Sequence, residues 1–536
     1  MKPTTFALNC FLTLPLWCQQ YHIDAPTLDR IKGEATDRSQ AAEYAIYLSD
    51  VFGPRLTGSP NFRAAGDWAM KTLRSVGLQE VHQEPLGEID FADGLPWSGR
   101  GWSFSRCSVR MIEPQEVQLV AVPAGWSRST SGRVAGDTIL APLPQGPGQV
   151  DQFIAGLRGK LKGKIVLVSR RTQIRSQAPP EFTRLSNEDL AKLALPAEPQ
   201  AGPHGNLPTN PPAGGRGPEP GVREIVDAWN KLLDFLHDED VLALVQAAGG
   251  RGGTLFTTNQ LGPPDPRHDP PPAVSIAAEQ YNRILRLKER EIPVRMEIEL
   301  ETRFYSKPDH FNVLAEIPGT SKREEVVLVG AHLDSWFGAT GATDNAAGAA
   351  VVMEAMRILA RLDLKMTRTV RAALWDAEEV NAGGSKAYVA EHLAGANTGG
   401  KKPLYDRLSV YLNIDNGAGK IRGVYLQGNQ AAVPMFEGWL KPLKEFGATT
   451  VSIRDSEGSD HEVFDRAGIP AFAMIQDPLN YMTRTHHSTM DSMDYVPADD
   501  LKTSGLVLAA LIYQAANDPV MVPRKPATPA SPGSPK

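Results

Sequence analysis

The sequence predicts an α/β chain: a mixed, mainly parallel central sheet flanked by helices, interrupted in its middle by an inserted unit. Three observations carry that prediction. From about residue 311 onward, short apolar runs alternate with helical stretches, the rhythm of strands covered on both faces by helices. Four of those runs end on His or carboxylate residues. Between about 111 and 299 the rhythm breaks, and Pro- and Gly-rich loops surround short regular pieces. The 536 residues, at roughly 150 per domain, exclude a single small binding module. With 41% hydrophobic and 22% charged residues, most of the chain can bury a core.

Taken in order, residues 1–20 carry Lys2 followed by an apolar stretch too short to span a bilayer, which reads as a signal peptide. Cys10 and Cys18 fall inside it, so its removal leaves Cys107 alone and excludes an intrachain disulfide. The main domain is expected to start over 21–110, with a helix from Pro60 or Asn61 to about Ser75, ended by Gly77. The inserted unit, 111–299, is expected to hold extended chain at 117–122, a strand at 164–169 and an amphipathic helix at 225–236. The stretch AAGGRGGTLFTT reads as a helix end, a Gly turn and a short strand. Residues 293–301 alternate like a half-buried strand. The main domain resumes over 300–516 and closes with a core helix at 506–516, and 517–536, rich in Pro, reads as a disordered tail. A formal charge of −6 without a dense basic stripe argues against a nucleic-acid partner.

The chemistry lies at the ends of the apolar runs. The run at 326–330 delivers His332 and Asp334; that at 370–375 delivers Asp376, Glu378 and Glu379. The run at 408–414 delivers Asp415, and that at 471–475 opens the loop carrying His486 and His487. In open α/β sheets the carboxyl ends of strands line the ligand crevice. Between the first two runs GATDNAAG leads into a helix whose Val352, Ala355, Met356 and Leu359 share one face. Alone, Asp344 reads as an N-cap, and a lone strand-end His as a satisfied polar residue. Together, the imidazoles and carboxylates suit zinc or a similar divalent ion. No dinucleotide, P-loop or nucleophile-elbow motif competes.

The motifs GAHLDS (330–335), GATDNAAG (341–348), WDAEE (375–379), NIDN (413–416), GSDHEVF (458–464) and HHSTMDS (486–492), in this order, resemble the zinc-dependent M28 peptidases. The resemblance covers about 312–516 and the helical segment near 53–77. The inserted unit, with GKIVLVSR, AAGGRGGTLF and PAVSIAAEQY, is similar to a mainly β protease-associated (PA) domain. The resemblance implies a zinc-exopeptidase (phosphorylase/hydrolase-like) fold and two Zn2+ per chain. His332 and Asp415 would hold one ion, Glu379 and His487 the other, and Asp344 would bridge them. Asp334 would orient the His332 imidazole, and Glu378 would be the general base. His487 fits the ligand position of the family's pattern, and His486 stands where one branch has a Tyr that stabilises the tetrahedral intermediate. Asp460 and His461 resemble a site-wall motif of the family, with either a supporting hydrogen-bonding role or substrate contact.

The implied activity is exopeptidase action on peptide substrates by an exported enzyme, secreted or periplasmic, with no integral membrane span and a homodimer left open. Aminopeptidase is the leading expectation because Asp376, Asp455, Glu457 and Asp460 outnumber the nearby cations Arg454 and Arg484. A carboxypeptidase or dipeptidase of the carboxypeptidase Q kind follows. A non-catalytic receptor-like relative and a glutaminyl cyclase are further alternatives.

Overall fold

The computed structural model describes residues 22–86, 100–174, 180–196, 220–257, 271–305, 309–393 and 400–525. The expected signal peptide, most of the Pro- and Gly-rich loops and the last residues of the tail lie outside the described residues. Two eight-stranded sheets organise the described residues.

The first sheet contains, in chain order, β1 (Gln79–Pro85), β2 (Phe311–Ile317), β3 (Lys322–His332), β4 (Arg368–Trp375), β5 (Leu408–Asn413), β6 (Ile421–Tyr425), β7 (Thr450–Ser452) and β8 (Ala471–Gln476). Their spatial order is β1-β2-β4-β3-β5-β8-β6-β7. β3 lies parallel to both β4 and β5, and β5 is parallel to β8, whereas β1 and β2 run antiparallel at one edge and β6 antiparallel to β8. β5 and β8 are buried along their whole length, as is β3 from Val326 to its end. That is why these strands read as continuous apolar runs rather than as an alternation. The pairing register sets His332 beside Trp375 and Gly330 beside Asn413, so the residues following three strands emerge at one edge.

The helix Pro60–Ser75 forms where expected, its Ser59 side chain accepting from the Phe62 amide. The helix Ala347–Arg361 packs on the closing helix Ala498–Asn517, and both are largely buried. A Cβ on Gly348 would lie 2.2 Å from the Asn345 side chain and 2.6 Å from the Ile414 carbonyl, so only glycine lets this helix start sit against β5. The core on this face includes Val327, Val329, Val352 and Leu511, and the opposite face buries Leu328, Trp375, Tyr411 and Phe464.

The second sheet is the inserted unit. It begins at Gly101–Glu113 and ends at Arg295–Tyr305, two long strands paired antiparallel along their length. Both therefore reach outside the expected limits of 111 and 299. Helices Val150–Leu157, Pro220–Asp238 and Ala278–Lys288 accompany its strands.

Two expectations are corrected. Ala247 ends a strand, Ala243–Ala247, and not a helix: all five residues are buried between neighbouring strands, and a short apolar run does not distinguish strand from helix. Past the Gly turn, Phe256 makes single bridges to Gly249 and Ser488 rather than a strand. The tail is also placed further than expected. Asn429 donates to the Pro523 carbonyl at 2.7 Å, Arg524 to the Gly468 carbonyl at 2.7 Å, and Val522 is buried. Polar contacts in both directions hold this segment, which has little apolar area of its own to bury: Asn429 reaches tail backbone, and Arg524 of the tail reaches main-domain backbone.

Candidate metal centre

Each strand end presents its side chains to one point. His332 is the last residue of β3, and its Nε2 lies 3.1 Å from Asp415 Oδ1 and 3.3 Å from Asp344 Oδ1. His487 Nε2 lies 2.9 Å from Glu379 Oε2 and 3.3 Å from the other Asp344 oxygen, Oδ2. Asp344 thus stands between two imidazole–carboxylate pairs. It is not a helix N-cap: Asp344 and Asn345 have non-helical backbone angles, and regular helix starts only at Ala347.

The donor set fits a metal on two grounds. Imidazole nitrogens and carboxylate oxygens are the ligands zinc takes outside thiolate sites. Asp344 Oδ2 and Glu379 Oε1 are buried without a hydrogen-bond partner among the described residues. Orphaned buried oxygens of this kind cost about 1–3 kcal/mol each or more when charged, and a bound cation removes that cost. A ligand atom of His486 also lies within 4.8 Å of those of Asp344 and His487, and the two imidazoles stack at 3.7 Å.

The electrostatics follow from burial and crowding. Burial alone would lower the His332 pKa, but Asp415, Asp334 and Asp344 around it win and raise it well above the usual imidazole range. Burial would raise Asp344, yet His332 and His487 hold it below the usual carboxylate range. Glu378 and Glu379 are pushed well above theirs, first by burial and then by neighbouring carboxylates: Asp415 and Asp460 for the former, Asp344 for the latter. His486 and His487 are lowered by burial.

Asp334 does more than the expected orienting of an imidazole. His332 Nδ1 lies 3.0 Å from the Asp334 backbone carbonyl and 3.5 Å from its carboxylate. The carboxylate accepts instead from the amides of Glu378 at 3.1 Å and Glu379 at 3.3 Å. One residue therefore joins the loop after β3 to the loop after β4. Asp460 and His461 are wholly buried, and His461 reaches the Ser456 carbonyl at 3.0 Å. Burial pushes Asp460 up to about 7.

Four residues given no role by sequence reasoning belong here. Asp491, within HHSTMDS, accepts from the amides of Thr343 at 2.6 Å and Asp344 at 3.1 Å, fixing the turn that carries Asp344. Arg55, within GPRLTGS, is wholly buried and donates to the carbonyls of Leu333, Leu48, Thr340 and Gly341. Tyr481 sets its ring edge-on to His486 at 4.8 Å and packs against Gly417. Thr257 comes from the inserted unit, its amide donating to the His487 carbonyl at 2.7 Å. Arg484 is engaged: its Nε donates to the Tyr495 hydroxyl at 2.9 Å, and Glu181 lies 3.4 Å from its Nη1.

Residues 312–512 match the profile of peptidase family M28. Mouse (Mus musculus) carboxypeptidase Q is 30% identical over 491 residues, covering 89% of this chain and 86% of that protein. The chain belongs to peptidase family M28. Its fold is shared with the crystal structure of an M28 peptidase precursor from Shewanella amazonensis, at a TM-score of 0.62 and 21% identity over 94% of this chain and 98% of that one. A zinc aminopeptidase from Bacillus subtilis aligns at a TM-score of 0.53 and 18% identity, over 89% of this chain and 94% of that one. As an M28 member the protein is a zinc metallopeptidase, and no helix among its described residues is long and apolar enough to cross a membrane.

Proposed function

We propose that this M28 peptidase is an exported di-zinc aminopeptidase. The observation that carries the reading is Asp344, with one oxygen facing His332 and the other His487, each imidazole already beside a second carboxylate. His332 and Asp415 would hold one zinc, His487 and Glu379 the other, with Asp344 shared. When bound, the two ions would polarise the scissile carbonyl and acidify the attacking water. Glu378 takes the water's proton on its carboxylate and returns it to the leaving nitrogen. Burial and the adjacent acids lift its pKa, which favours holding the proton before returning it. Asp334 holds the Glu378 amide and so aims that carboxylate. His486, kept neutral by burial, carries one N–H that can be offered to the developing oxyanion. Export rests on the leader at 1–20.

The choice of terminus rests on charge. A carboxypeptidase pairs the substrate carboxylate with a cation, best with Arg in a bidentate fork. Arg484, the cation nearest the double His in sequence, already faces Glu181, and Arg251 faces the same carboxylate at 3.4 Å. A substrate carboxylate would have to displace Glu181, which supports recognition of a free amine. The similarity to carboxypeptidase Q over 89% of the chain favours a second reading, a carboxypeptidase or dipeptidase. Aminoacyl p-nitroanilides should therefore be hydrolysed and their N-acetyl forms not. Efficient cleavage of N-blocked dipeptides with a free carboxylate would reverse the assignment in favour of the second reading.

A further inference from the structure

We infer that Thr257, on the inserted unit, is a positioning residue for His487; the inference rests on the reading of His487 as a zinc ligand. Thr257 is 3% exposed and places two donors on one acceptor. Its amide donates to the His487 carbonyl at 2.7 Å and its hydroxyl to the same oxygen at 3.1 Å. The contact continues along the chain. The Thr489 amide donates to the Leu255 carbonyl at 2.9 Å, the Leu255 amide to the Thr489 hydroxyl at 3.2 Å, and Phe256 bridges Ser488. Residues 255–257 thus run antiparallel to 487–489 as a short ladder between the two units.

His487 needs such support. Its φ of +52° is left-handed, a conformation that costs a non-glycine residue about 1–3 kcal/mol and persists where the surroundings over-determine it. Holding the carbonyl from outside fixes the peptide plane and with it the direction of the imidazole. Thr257 is itself confined on its other side. A Cβ on Gly338 would lie 2.5 Å from Thr257 Cγ2, so the loop that follows His332 and Asp334 packs directly on it. Trp336 in that loop meets the His487 ring edge-on at 5.8 Å. The inserted unit grips the same ligand loop at its start too, where Thr183 and Leu479 exchange two backbone hydrogen bonds of 2.8 Å. The strand ends of the main domain supply His332, Glu379 and Asp415, but the backbone of His487 is set by the insertion.

Thr257→Val keeps the shape and the amide bond and removes the hydroxyl. Zinc titration of the metal-free full chain should then show one of two sites weakened about 10- to 100-fold, the cost typical of losing an outer partner of a ligand. The other site should be unchanged, and Thr257→Ser should restore wild-type affinity. Gly338→Ala, which leaves every hydrogen-bonding group in place but pushes Thr257 aside, should weaken the same single site and serves if Thr257→Val does not fold. Wild-type affinity at both sites in either folded variant overturns the inference, as does a Thr257→Ser protein as weak as Thr257→Val. A wild-type chain that binds fewer than two ions would instead count against the site reading, before any variant is compared.

Discussion

Replacing Glu378 with Gln should lower turnover by about 10²- to 10⁴-fold and leave the zinc content at the wild-type value. The two adjacent acids differ in what they face. Glu379 Oε2 lies 2.9 Å from His487 Nε2 and its second oxygen is buried without a hydrogen-bond partner, the environment of a ligand. Glu378 is linked to the site through its amide, which Asp334 holds at 3.1 Å, while its carboxylate is lifted by burial and by Asp415 and Asp460. A Gln at 378 therefore preserves the ligand groups and removes the proton acceptor, whereas a Gln at 379 removes a ligand charge. Turnover on an aminoacyl chromogenic substrate, measured beside zinc by elemental analysis, separates the two. Loss of metal from Glu378→Gln to the same extent as from Glu379→Gln would mean the roles are assigned wrongly.

Arg55→Met should be the most destabilising single change near the site, lowering folding stability by at least about 3 kcal/mol. The wholly buried guanidinium donates to Leu333 O at 2.7 Å, Leu48 O at 2.6 Å, Thr340 O at 2.9 Å and Gly341 O at 2.9 Å. Burial pulls its pKa down to about 10 against the pull of Asp491, Asp334 and Asp344, which leaves it charged at neutral pH. Met fills similar volume but leaves four buried carbonyls without that donor. Two of them belong to the turn that carries Asp344 and one to the loop between His332 and Asp334, so zinc affinity should fall with stability. The midpoint of urea unfolding of the metal-free protein reports the first effect. A midpoint equal to wild type would show that water or neighbouring groups replace the guanidinium.

The legibility of this chain in its sequence had a physical pattern. Strands β3, β4, β5 and β8 were readable because burial on both faces demands continuous apolar residues. His332, Glu379 and Asp415 follow their runs within a few positions and His487 lies in the longer loop after the fourth run, so the order of runs and loops brings these four to one sheet edge. Arg55 was not readable, because its partners are backbone carbonyls up to 286 positions away, and a carbonyl carries no residue identity. The same holds for Thr257, whose acceptor lies 230 positions on. Ala247 reads as a helix end because a run as short as Ala243–Ala247, four apolar residues and Gln246, fits either period. The placed tail was missed because side chains such as Asn429 hold it from elsewhere in the chain. The double role of Asp334 was half visible: the family resemblance implied a contact with His332, but its hydrogen bonds to the Glu378 and Glu379 amides depend on how two strand ends meet.

The central claim is a pair of zinc sites that share Asp344. Stripping the full-length protein of metal and titrating zinc while following both bound metal and hydrolysis tests it most directly. The account predicts saturation at two zinc ions per chain for the wild type, activity that returns as they bind, and both sites weakened in Asp344→Ala. Saturation at one ion or none, or loss of only one site in Asp344→Ala, would contradict it.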